Sequence, residues 1–188
     1  MPFYAGVAVL LASLYVVGGI VKIALPAVLQ GGDVLGKPPV RPAEWTLAKL
    51  AMFAACGWAP AAVFFPQLAS YVTPGWLAVL GAVLYAVGAL GVVLAGRDLG
   101  MNLTAGLPRG NSALKTNGLY GISRNPIYTG LLFLVLGSAL FAPHPVNWLA
   151  GALCVVLHHR IILAEEVFLA RRFGSGWRVY RSTVRRYL

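Results

Sequence analysis

Between Lys49 and Arg97 the chain runs without a single charged residue. A membrane-spanning helix takes about 20 predominantly apolar residues, so this run is too long for one crossing. Breakers divide it: Pro66-Gln67 and Thr73-Pro74-Gly75 predict one span near 47–65 and another near 75–95. A second run free of formal charge, from Asn125 to His159, is split at Pro143-His144-Pro145 into a tight hairpin of two short spans. Residues 3–22 supply a further span that can continue past Pro26. The stretch 1–21 has no basic start and no clear small-residue cleavage site, so it reads as a retained span rather than a secretory signal.

The prediction is therefore all-α: a polytopic integral membrane protein with five transmembrane helices in a single domain, 1–188. Three spans occupy 1–96; a loop, the two-span hairpin and a C-terminal tail occupy 97–188. Composition agrees. The chain is 59% hydrophobic and 11% charged, where soluble domains carry about 25% charged residues. No room is left for a separate soluble domain, so any site must be built from the spans and their connections.

The net charge of +10 would suit nucleic acid, but its distribution argues otherwise. Every Lys and Arg except Lys22 falls in 30–49, 97–124 or 160–188, which share one side of a five-span protein. The opposite turns, near 66–74 and 143–147, contain none. The positive-inside rule then predicts an N-terminus outside and a cytoplasmic C-terminus, with an inner membrane as the compartment. The arginines would meet anionic lipid headgroups, and Lys22 would snorkel. Cys56 and Cys154 lie in apolar runs without metal-type spacing, as small packing residues do.

In the tail, 164–173 should extend the fifth helix, and Gly174-Ser175-Gly176 should break it. Beyond the break, Trp177, Tyr180, Val184 and Tyr187 recur at helical spacing, with Arg178, Arg181 and Arg185 on another face. This pattern predicts a C-terminal amphipathic helix at the membrane interface. The polar, Gly-rich 100–117 segment should be a loop.

Two clusters on the cytoplasmic side can carry chemistry. The first is LKTNGLYGISRNPIYTG, residues 114–130. Pro126 suits a first helical turn, Asn125 is a candidate cap, and free N–H groups there can meet an anionic group. Gly118 and Gly130 permit close approach, and Tyr120 and Tyr128 offer aromatic faces with polar tips. The second cluster begins with Glu165-Glu166, two of only five acidic residues. Carboxylates at a membrane helix end usually have partners. The plain alternative is a solvated helix exit flanked by Arg160, Arg171 and Arg172. Adjacent helical residues point about 100° apart, with Glu165 siding with His158 and Ile161 and Glu166 with His159 and Ile162. Such a pair is not a shared acid–base dyad; it can grip two parts of one ligand.

Together the clusters resemble the isoprenylcysteine carboxyl methyltransferase family and its relatives, the phospholipid N-methyltransferases. That family shows L-x-T-x-G-x-Y-x-x-x-R-H-P-x-Y-x-G, then E-E-x-x-L-x-x-x-F-G-x-x-Y-x-x-Y-x-x-x-V-x-R. This chain has LKTNGLYGISRNPIYTG and EEVFLARRFGSGWRVYRSTVRR. The resemblance covers roughly 97–188. Asn125 stands where eukaryotic members have His, as in the bacterial branch, and Trp177 replaces the first Tyr of the tail motif.

The resemblance implies S-adenosylmethionine as methyl donor, bound at the cytoplasmic ends of the last two spans beneath the tail. By motif, Gly118, Leu119, Tyr120, Arg124, Asn125, Pro126 and Tyr128 would shape one wall. Glu165 and Glu166 would form another, meeting the ammonium or ribose hydroxyls, with His159 lining the site. Glu166 and Arg160 are the candidate catalytic residues, Arg160 as the group orienting a substrate carboxylate. The acceptor would be a lipophilic molecule from the bilayer.

Methyl transfer from a sulfonium to an ionised carboxylate or thiolate needs no general base; positioning and water exclusion supply most of the rate. No nucleophile–base constellation suggests covalent catalysis. No metal site is expected either, since His144 belongs to the outer turn and His158-His159 point two ways. Isoprenylcysteine-like carboxylate, phospholipid amine, small thiol and quinone-like lipid are all compatible acceptors. Two other readings are an NADPH enzyme like the C-terminal halves of sterol reductases, and a non-catalytic membrane scaffold.

Overall fold

A computed structural model describes residues 2–30, 34–107 and 113–188. Its helices are α1 (Phe3–Leu29), α2 (Pro42–Phe64), α3 (Gly75–Leu99), α4 (Pro126–Phe141) and α5 (Pro145–Thr183), with short 3-10 turns at Pro66–Leu68, Gly100–Asn102 and Gly118–Gly121. No strand forms among the described residues; the two β-type contacts are the isolated bridges Lys37–Leu107 and Ser123–Arg185. Proline opens α2, α4 and α5, where its missing N–H has no partner to lose.

Three helices, α1, α2 and α3 with its 3-10 extension, are long and apolar enough to cross a membrane. α4 is apolar but only 16 residues long, or ~24 Å at 1.5 Å per residue. α5 is long, yet Asn147, His158 and His159 interrupt its apolar first half. α1 runs through Pro26 to Leu29, past the 22nd residue. Of the 100–117 connection, 108–112 lie outside the described residues; Ala105 and Leu107 donate to the carbonyls of Val34 and Lys37.

Small residues set the packing. Where α3 crosses α4, a Cβ on Gly88 would meet the Gly130 carbonyl and the Leu134 nitrogen at 2.6 Å, and one on Gly137 would strike Tyr85 and Gly81. Gly130 therefore serves the helix crossing, not a ligand. Close backbone approach of this kind holds helices together where burial from water cannot. The main core continues it with alanines from α1, α2 and α3, including Ala5, Ala59, Ala78 and Ala82. A second seam joins α2 to α5 through Ala48, Leu157 and Ile161.

Pro60 explains a polar contact inside the bundle. Lacking an N–H, it leaves the Cys56 carbonyl one turn earlier without its helical donor. The Tyr85 hydroxyl donates to that carbonyl at 2.9 Å and accepts from Ser13 at 3.2 Å, tying α1, α2 and α3 together.

α1 packs chiefly on α3 and α2 chiefly on α5, while α1 and α2 touch sparsely. A cavity of about 810 Å3 occupies the resulting gap and reaches the end of the bundle where Glu165, Tyr120 and Arg124 lie.

The tail departs from expectation. Gly174 breaks the helix as predicted, with φ 51° and ψ −114°, and helix then resumes to Thr183. Val184 turns extended (φ −115°, ψ 134°), so Val184 and Tyr187 do not continue a helical face. The reason lies across the fold: Arg124 N–H donates to the Arg185 carbonyl at 2.8 Å, holding residues 184–186 as a strap. Trp177 and Tyr180 are buried in the protein itself, and Arg178, Arg181 and Arg185 stay exposed.

Candidate active site

The loop before α4 is held from below. Asp98, in the last turn of α3, accepts the Leu119 N–H at 2.8 Å. Gly118 adopts φ +64°, and any Cβ there would overlap the Asp98 carboxylate. Glycine is thus required twice, for its left-handed conformation and for the approach of Asp98. From above, Tyr180 donates its hydroxyl to the Tyr120 carbonyl at 2.6 Å. Burial pushes the Tyr180 phenol up to about 12, with Arg124 pulling the other way.

Arg124 and Asn125 then turn toward Glu166. Glu166 Oε1 accepts from Arg124 Nε and Nη2 at 3.2 and 3.1 Å and from Asn125 Nδ2 at 3.3 Å. Arg186 grips both carboxylate oxygens, Nε on Oε1 at 3.2 Å and Nη2 on Oε2 at 2.9 Å. Burial alone would raise the Glu166 carboxyl, but the Arg186 and Arg124 contacts outweigh it and hold it below its usual range. Arg124 Nη1 donates to the Val184 and Arg181 carbonyls at 2.6 and 3.2 Å. The Asn125 side chain also donates to the Arg186 carbonyl. Although Asn125 precedes α4, its side chain does not cap the helix; Glu166 and Arg186 occupy it instead. Pro126 is the first residue of α4, buried behind the clasp.

Glu165, one residue earlier, has the opposite setting. It lies beyond the apolar part of α5, lines the large cavity and accepts the Tyr128 hydroxyl at 2.8 Å. Burial pushes its carboxyl up to about 7, with Tyr128 and the Lys49 charge drawing it back. The 100° divergence of the two glutamates separates them: one holds a clasp, the other faces open space.

Of the sequence-predicted residues, Tyr120, Arg124, Asn125, Tyr128 and Glu165 line this cavity. Gly118, Leu119, Pro126 and Glu166 support it from behind. His159 turns away, its Nδ1 2.7 Å from the Tyr187 hydroxyl. Arg160 is exposed and paired with Glu44 on α2; it borders a second, smaller groove of about 570 Å3 with His159 and Tyr187.

Sequence reasoning missed Asp98 and Lys49 as neighbours of the site, while His158 was placed on the Glu165 face of α5. Asp98 had a signal, being one of five acids and following, after Arg97, a long charge-free run. Lys49 looked like one more positive-inside residue. His158 accompanies Glu165 along the cavity wall; its Nδ1 lies 2.9 Å from the Cys154 carbonyl, and its buried Nε2 has no hydrogen-bond partner among the described residues. A carbonyl can only accept, so Nδ1 carries the proton and, in the neutral ring, Nε2 presents a lone pair.

An all-helical bundle with apolar spans, whose two polar motifs meet at one end over an apolar-lined cavity, has the architecture of a membrane protein. The phospholipid methyltransferase family model matches residues 76–176, from α3 into the resumed part of α5. The chain belongs to that family, a family of membrane methyltransferases. No curated protein matches the chain.

Proposed function

We propose that the protein transfers a methyl group from S-adenosylmethionine to a lipophilic acceptor drawn from the bilayer. The observation that carries this reading is the continuity of the cavity. Its polar end is walled by Glu165, Tyr120, Tyr128 and Arg124, and its apolar part by Val17, Val21 and Phe53, which are exposed.

The polar end suits the donor. Phospholipid methyltransferases typically use S-adenosylmethionine, which supplies an electrophilic methyl on a sulfonium. A cation of this kind calls for a carboxylate and aromatic faces. Glu165 offers the first; Tyr120, Phe168, Phe173 and Trp177 line the same space. Tyr128 holds the Glu165 carboxylate in one orientation, Asp98 and Tyr180 fix the loop carrying Tyr120, and the clasp keeps Arg124 in place. These residues orient and exclude water, which is what an in-line displacement asks of a protein.

The finer reading has five spans. α4 and the first half of α5 form a short hairpin, the N-terminus is outside, and the C-terminus and site are cytoplasmic in a bacterial inner membrane. The basic segments all lie at the site's end, and the arginines of the tail face anionic headgroups. The acceptor carries a nucleophile on a hydrocarbon body, as an isoprenylcysteine-like carboxylate or a phospholipid amine does.

Calorimetry in detergent tests the reading. Folded protein should bind S-adenosylmethionine and S-adenosylhomocysteine, and Glu165→Ala and Tyr120→Ala should weaken binding. With labelled donor, methyl groups should appear in the lipid fraction. Folded protein that binds neither ligand at millimolar concentration would overturn it.

A further inference from the structure

Lys49 is the one charged side chain on α2 past its first turn, and it lies in the wall of the large cavity. It sits seven residues after Pro42, ~10 Å along the helix. Its ammonium stands 5.4 Å from the centroid of the Trp45 ring. Among the described residues it makes neither an ion pair nor a hydrogen bond. Glu165 is the nearby carboxylate, but its hydrogen bond goes to Tyr128. Lys49 thus faces the cavity with its hydrogen-bonding capacity unspent, its charge felt by Glu165 but not bonded to it.

An ionisable group inside a span is costly unless paired, and such groups mark ligand sites. The same cavity is also lined by apolar side chains, among them Met52 and Phe53 on α2 and Val17, Ile20 and Val21 on α1. A small free anion would leave that surface uncovered. A hydrocarbon chain bearing a single anionic group matches both parts.

We infer that Lys49 binds the anionic group of the methyl acceptor, a carboxylate or phosphate ester, and seats its hydrocarbon chain between α1 and α2. This rests on the methyltransferase reading. It adds that the acceptor is an anionic amphiphile read by α2, in the part of the chain before the family match.

The test uses full-length protein in neutral detergent micelles, with hexadecyl phosphate, palmitate, hexadecanol and inorganic phosphate as probes and S-adenosylhomocysteine binding measured alongside. Wild-type protein should bind both anionic amphiphiles and neither hexadecanol nor inorganic phosphate with comparable affinity. Lys49→Gln should weaken the anionic amphiphiles about tenfold or more, as loss of a charged hydrogen bond does, and weaken hexadecanol no further. Lys49→Arg should retain binding. In turnover, Lys49→Gln should raise KM for the acceptor far more than it lowers kcat. Equal binding of hexadecanol, or Lys49→Gln binding the anions as wild type does, overturns the assignment; inorganic phosphate competing as well as hexadecyl phosphate overturns the lipid. Loss of S-adenosylhomocysteine binding in wild-type protein would instead strike the methyltransferase reading.

Discussion

Arg124 and Glu166, 42 residues apart in sequence, meet at 3.1 Å with side chains 7% and 8% exposed. Arg186 joins them from the strap at 2.9 Å. Removing one member of a buried pair costs about 3–5 kcal/mol because the remaining charge is left without compensation. Glu166→Ala strands two arginines and should destabilise the protein by about that much, read by chemical or thermal unfolding in micelles. Arg186→Ala should cost less, since its side chain is 31% exposed. Equal stability of Glu166→Ala and wild type would show that the clasp carries no load.

Gly118→Ala should weaken binding at the cavity without unfolding the bundle. The left-handed backbone costs an alanine about 1–2 kcal/mol, and its Cβ would push Asp98 off the Leu119 N–H. Asp98→Asn, which keeps a weaker acceptor, should fall between wild type and Gly118→Ala. The check is S-adenosylhomocysteine affinity alongside the unfolding midpoint; a large drop in the midpoint with unchanged affinity would contradict it.

A pH dependence follows from Glu165, whose carboxyl is pushed up to about 7 by burial, against Tyr128 and Lys49. Its ionised form is present above that pH and lost as pH falls through it. A cationic ligand favours the ionised form, so S-adenosylmethionine affinity should rise between about pH 6 and 8, and Glu165→Gln should flatten the profile. Stability should move oppositely. From the ordinary carboxyl value of about 4.3 up to about 7, the folded protein holds a proton that the unfolded chain has shed. Folding free energy from this group therefore weakens as pH rises through that window.

The crossing of α3 and α4 gives a control pair. Gly88→Ala places a Cβ 2.6 Å from backbone atoms of α4 and should destabilise by about 1–3 kcal/mol, as overpacking does. Gly57→Ala, which meets nothing within 4 Å, should be neutral or slightly stabilising. Equal unfolding midpoints for both variants would contradict the close crossing.

The helix ends were legible in the chain itself. Pro66, Pro74-Gly75 and Pro143-His144-Pro145 mark real boundaries, and Gly174 marks a real break, because missing donors and left-handed backbone act locally. The two motifs were legible as well, and they do converge. What each residue faces was decided only by the tertiary structure. Helical geometry separates Glu165 from Glu166 by about 100°, but the strap that claims Glu166 comes from beyond Thr183. The same strap takes Asn125 away from capping α4, and Glu44 takes Arg160 to the outer edge. Lys49 reads in sequence like every other basic residue near a helix end. Its place in the wall of a cavity is set by α1 and α5, which no spacing within α2 encodes. Periodicity determines which side chains share a face; only packing determines what that face meets.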